Sequence, residues 1–230
     1  MKVTKDQIQQ LYAFTQKHYV EWYDVQTELV DHLANGIEDM WQKNPELSFE
    51  KALQIEFKKF GVTGFSDVVE QKTNALNKHY RKMVWKYFIA FFKLPKVVMT
   101  LFLIWVFHFV LVGLEDKFWF LLVVCLTLMF FPFRYIYKQG KIIKRRQKQT
   151  GKKWLFESTM VQLGGLMYVL NIGIYISIVF EIGEKLSNTK LVFLSAFLIC
   201  FGLCLYVSIC IVAPKLKQEM LKQYPNYQII

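Results

Sequence analysis

Polar and apolar positions are distributed very unevenly along the chain. Up to about residue 80 the apolar residues recur at helical spacing among charged ones, and from 97 onward they merge into long unbroken runs. In the first part Thr4 with Gln7 forms a capping box, opening a helix with Ile8, Leu11, Tyr12 and Thr15 on one face. A second helix is predicted over 21–43, with Val25, Leu29, Leu33, Ile37 and Met40 three and four apart, stopping at Asn44-Pro45. Ser48 caps a third, placing Phe49, Ala52, Leu53, Ile55 and Phe60 inward and Gly61 where a left-handed C-cap is needed. A fourth begins at Ser66 and runs on through Trp85, Tyr87, Phe88, Phe91 and Phe92 toward Pro95. Lys82, Lys86, Lys93 and Lys96 are interspersed there, a mixture suited to lipid headgroups whether the helix enters the bilayer or lies flat on it.

Four apolar runs follow, at 97–114, 118–137, 158–182 and 191–213. Each is close to the ~20 residues that cross ~30 Å of hydrocarbon. None alternates as a barrel strand does, so all four are expected as helices whose backbones satisfy themselves. The predicted fold class is therefore all-α, a small cytoplasmic helical domain followed by a four-helix transmembrane bundle. Its parts are 1–80, a juxtamembrane helix 81–96, the spans within 97–213, and a tail 214–230. Residues 1–20 are polar, with Lys2, Lys5, Asp6 and Lys17, so no cleavable leader is expected.

Composition and charge sharpen this picture. With 54% apolar and 17% aromatic residues, a soluble domain of this kind would aggregate and a disordered chain is excluded. The net charge of +11 falls mostly on the apolar part: 14 basic and 12 acidic residues in 1–96, against 15 and 6 in 97–230. The segment 138–153 alone contains Lys138, Lys141, Lys144, Arg145, Arg146, Lys148, Lys152 and Lys153 and no acid, whereas the turn at Glu115, Asp116 and Lys117 is mixed. Retention of basic loops inside then predicts both termini in the cytoplasm. Lys141, Lys144, Arg145 and Arg146 are expected to meet anionic lipid headgroups. The run lacks the interleaved aromatic residues of a nucleic-acid site, and no nucleic-acid partner is expected.

Chemistry-bearing residues are sparse. Asp24, Glu28, Asp31 and His32 share a helix, with Glu28 and His32 four apart on one face. One helix cannot complete a metal site, and no matching carboxylate-histidine motif comes from another. The expectation is an acidic face that is solvated, with His32 half packed on the core, or that is recognised by a basic partner. Phosphate loops, zinc-protease motifs and nucleophile elbows are missing from the sequence, so neither catalysis nor a cofactor is expected. Cys125, Cys200, Cys204 and Cys210 lie in apolar runs and are read as small apolar residues. Within the spans His108, Thr127 and Asn171 lie ~15 to 20 Å from the cytoplasmic end at ~1.5 Å per residue, a possible polar cluster. Two small-residue stripes, Ala196, Cys200, Cys204, Ser208 and Gly165, Gly173, Ser177, are candidate helix contacts and leave self-association open.

The order of Glu28-Leu29-Val30-Asp31-His32-Leu33, Ile37-Glu38, Ser48-Phe49-Glu50-Lys51-Ala52-Leu53 and Lys59-Phe60-Gly61 resembles the HAAS signalling domain. Asn44-Pro45-Glu46-Leu47 stands where that family usually has a glycine before the cap. The resemblance covers about residues 8–75. It implies a bacterial inner-membrane protein in which a cytoplasmic helical module, fused to membrane spans, binds a protein partner in signalling. An accessory subunit of a transporter or other membrane assembly is the alternative reading of the same architecture.

Overall fold

The computed structural model describes residues 2–163, 187–223 and 227. Among these the chain is all-α: α1 (Lys5–Lys17), α2 (Tyr23–Lys43), α3 (Phe49–Lys58), α4 (Ser66–Ile89), α5 (Lys96–Gly113), α6 (Lys117–Thr150), α7 (Leu155–Val161), α8 (Asn188–Tyr206) and α9 (Ala213–Gln223). A 3-10 turn, Ala90–Phe92, follows α4, and a π-helical stretch, Val207–Val212, joins α8 to α9. The chain divides into two compact units, one of residues 1–76 with 146–158, the other of 77–145 with 159–230.

Local signals set the boundaries of the first unit. The Thr4 hydroxyl accepts from the Gln7 amide and the Gln7 side chain accepts from the Thr4 amide, closing the capping box. Ser48 caps α3 through the Lys51 amide, α2 ends at Asn44, and Gly61 takes the left-handed conformation (φ 73°) after α3. Leu11, Val25, Leu29, Leu33, Ile37, Ala52, Leu53 and Phe65 are buried together, and Phe14, Phe57, Phe60 and Phe65 add edge-to-face ring contacts. Ile55, expected inward, is 45% exposed on the outer side of α3.

Glu56 occupies the inward position one residue further on and is buried over Gly36 of α2, where a Cβ would overlap its carboxyl group. Lys59 Nζ lies 2.5 Å from the carboxylate and His32 Nε2 3.8 Å away. In a free helix Gly36→Ala would gain about 1 kcal/mol. Here it displaces a charge-assisted bond worth about 1.5–3 kcal/mol, so we expect a net loss of about 1 kcal/mol in chemical denaturation. In a Glu56→Ala background the same substitution should change sign and stabilise.

Three helices among the described residues, not four, are long and apolar enough to cross a membrane: Lys96–Gly113, Lys117–Thr150 and the continuous helix Asn188–Lys222. This corrects the expected four-helix bundle. The run at 158–182 begins inside α7, which starts at Leu155 and ends at Val161, and Leu163 then takes a left-handed φ of 51°. Residues 164–182 lie outside the described residues. The protein is thus a multi-pass membrane protein with a helical region in front of its first span.

A second correction concerns 138–153, which is helical as far as Thr150. Its Lys, Arg and Gln residues are good helix formers, and the helix stops where Gly151 adopts φ 67° and its amide bonds the Gln147 carbonyl. At ~1.5 Å per residue α6 is ~51 Å long, well beyond ~30 Å of hydrocarbon, so its basic end projects from the apolar part.

In the second unit α5, α6 and α8 share a core of Leu111, Leu121, Leu191 and Leu198, and a second cluster joins Cys125 to Leu205. The row of α8 turned inward is Leu191, Ser195, Leu198, Leu205. Gly202 continues it, where a Cβ would touch the Leu128 side chain at 3.4 Å. Ala196, Cys200 and Cys204 are only half-buried, so the packing row is a different one from the small-residue stripe; Ser208 alone of that stripe is fully buried. Gly165 and Gly173 lie outside the described residues.

Candidate functional site

The first unit contains a segment that comes from far along the chain. Residues 146–158, the last basic turn of α6 and the segment after it, are built into the module against the start of α2. Gly151 ends α6, and the next residues run extended beside 22–23. The Tyr23 amide donates to the Lys153 carbonyl at 2.7 Å, within a parallel bridge between Trp22 and Lys153. Around it Lys153 Nζ meets Glu21 at 2.5 Å, Lys152 Nζ lies 3.9 Å from the Tyr23 ring centre, and Trp154 meets the same ring edge-on at 5.2 Å.

Asp24 fastens the segment. Its two carboxylate oxygens accept the Leu155 amide at 3.0 and 3.1 Å, and Oδ1 also takes the Val25 amide of its own helix at 3.2 Å. One buried carboxylate therefore neutralises the amino-terminal ends of two helices, α2 and α7, whose exposed amides favour an anion. Leu155 then enters the module's hydrophobic core and Trp154 is 1% exposed. At the other end of the segment Arg146 pairs with Glu157 at 2.6 Å. We call this arrangement the latch.

Burial pushes the Asp24 carboxyl up from its ordinary 3.8, and the amides of Leu155, Asp24, Phe156 and Val25 pull it back only in part. The folded state thus holds the Asp24 proton more tightly than the unfolded chain does. This carboxyl's contribution to stability falls as pH rises from about 3.8 through the raised value, and is constant above it. Thermal melts of the wild type and Asp24→Asn should show that difference. Relative to Asp24→Asn, the wild type loses stability over this window and then runs parallel; a difference that grows with pH would reverse the sign of the shift.

The four residues of the expected acidic face do not converge. Asp24 points inward to the latch, Glu28 pairs with Lys72 of α4, Asp31 is exposed, and His32 lies near Glu56 and edge-on to Phe60 at 5.6 Å. Among the described residues no three His, Cys, Asp or Glu groups are placed to hold a metal ion. Of the expected headgroup contacts, Lys141, Lys144 and Arg145 are exposed, whereas Arg146 is turned to Glu157. The Thr127 hydroxyl donates to the Val123 carbonyl of its own helix, and His108 Nδ1 is buried with no hydrogen-bond partner among the described residues. Asn171, their expected companion, lies outside the described residues. All four cysteines are free thiols.

Periodicity gave no sign of the latch. Trp154, the aromatic residue directly after the basic run, and the unusual Trp22-Tyr23-Asp24 start of α2 were its only traces. Comparison with protein-family models, with curated proteins and with solved structures returned no match for this chain.

Proposed function

We propose that the protein is a non-enzymatic membrane regulator or adaptor whose helical module binds a protein partner in signalling, with the latch coupling that event to the second span. The observation that carries this reading is the continuity of chain: α6 runs from Lys117 within the apolar part to Thr150, and the next eight residues are incorporated into the module through Asp24 and Leu155. A rigid helix ending in a clamped segment transmits displacement, because packed cores hold discrete arrangements and resist continuous deformation. A docking module tethered by a flexible linker would need none of this.

The HAAS-like order of motifs supports a signalling role in a bacterial inner membrane. The basic end of α6 supports a cytoplasmic module. Within the second unit α4 and α9 run side by side in opposite directions, with Phe91 near Tyr206, Tyr87 bonded to Lys215 and His79 paired with Glu219. That the approach to the first span lies beside the helix after the last supports the reading of termini on one side of the membrane.

Co-purification from mild detergent tests the role. A regulator should bring down a soluble partner that is lost when the exposed face of the module is changed, whereas recovery of membrane proteins alone would favour an accessory subunit. Single cysteines at Asp116 and Lys148, in a background without the native four, test the orientation. An impermeant thiol reagent on intact cells should reach the first and not the second; the reverse pattern would invert the topology.

A further inference from the structure

We infer that the outer side of the last turns of α4 and of the 3-10 turn after it, as far as Lys93, is a binding surface for the anionic headgroup layer of a bilayer, anchoring the helix that carries the module. These turns have three distinct faces. Tyr80, Val84, Tyr87 and Phe91, spaced four, three and four, turn inward within the second unit: Tyr80 is fully buried with its hydroxyl donating to the Ser208 carbonyl at 2.8 Å, and Lys215 meets Tyr87. The next face is aromatic and uncovered. Trp85 (63% exposed), Ile89 and Phe92 (42%) line it, and Phe88 links the rings at 5.9 and 5.2 Å. Beside it runs a stripe of Lys82, Lys86 and Lys93, all exposed and with no carboxylate partner among the described residues.

Charge complementarity identifies what covers this surface. Residues 77–114 contain six Lys or Arg (Lys78, Arg81, Lys82, Lys86, Lys93, Lys96) and no Asp or Glu, so the partner is anionic. The aromatic face ends four residues before α5 begins at Lys96, at the level where a chain leaves the hydrocarbon. Indole and phenyl rings settle at that boundary, and Lys stems extend along it with their ammonium groups among the phosphates. An acidic soluble protein would satisfy the lysines but would have to displace lipid from the rings next to the span. Because α4 runs alongside the last helix, the surface is an upright helix side immersed in headgroups, not a helix lying flat.

The test uses the full-length protein with its native cysteines replaced and Ile89→Cys carrying a nitroxide, reconstituted in phosphatidylcholine alone or with an equal part of phosphatidylglycerol. Oxygen concentrates in hydrocarbon and a nickel chelate stays in water. In the phosphatidylglycerol bilayer the label should favour oxygen, and Lys82→Gln, Lys86→Gln and Lys93→Gln together should move it toward nickel. Each lysine contributes about fivefold to the partition, less at high salt. The triple Arg variant should behave as the wild type, which separates charge from side-chain identity. A label favouring nickel in both lipids, one shielded from both reagents as by a covering protein, or a triple Gln variant unchanged would each overturn the proposal.

Discussion

Leu33→Asp will abolish the cooperative unfolding of the helical module. Leu33 is fully buried at the centre of α2, among Leu11, Leu29, Ile37 and Ala52. Removing the leucine side chain alone costs about 2–5 kcal/mol, as Leu33→Ala should show while keeping the fold. Asp adds a carboxylate with no partner in an apolar site, and even if it takes up a proton the penalty is several kcal/mol more. A module of this size has about 5–13 kcal/mol in total at ~0.05–0.15 kcal/mol per residue, so the sum reaches or exceeds what holds it. Hydrogen exchange on the full-length protein in detergent should find residues 5–58 unprotected in Leu33→Asp. Asp31→Leu, two residues away on the exposed side, should leave protection unchanged. Protection surviving in Leu33→Asp would mean that the core is held from elsewhere.

What the sequence made legible is what neighbouring residues decide. The Thr4-Gln7 box, the Ser48 cap and Gly61 act within a few residues, and each lies where the order of side chains puts it. Membrane character was equally plain, since unbroken apolar length is a property of the run itself. The number of spans was not: the run at 158–182 starts within a helix that is capped by Asp24, and only three helices among the described residues have the length and composition to cross. Charge misled in the same region. Eight basic residues between two apolar runs suggest a loop, yet Lys and Arg are also good helix formers and nothing breaks the helix before Gly151. Local sequence puts Asp24 on an acidic face because its partner, the Leu155 amide, lies 131 residues further on. On α8 the small residues were visible, but the row that packs is a neighbouring one, set by Leu191, Leu198 and Leu205 with Gly202 between the last two.

Trp154→Ala is expected to open the latch and leave the helical module closed. The indole is 1% exposed and meets Tyr23 and Phe156 edge-on at 5.2 and 5.9 Å. Truncating a buried aromatic of this size costs about 3–5 kcal/mol, because the space it leaves is only partly refilled. That cost falls on residues 152–157, since the core around Leu11, Leu33 and Ile37 is supplied by α1, α2 and α3. Two amides report the latch directly, Tyr23 bonded to the Lys153 carbonyl and Leu155 bonded to Asp24. Both should exchange faster by about two to four orders of magnitude, while amides in the middle of α2 change little. The contrast bears on function. If partner binding by the module survives in this variant but no longer alters the environment of α6, coupling runs through the latch. If the amides of α2 lose protection together with Tyr23 and Leu155, module and latch are one cooperative unit, and the displacement reaching α6 is a movement of the whole module.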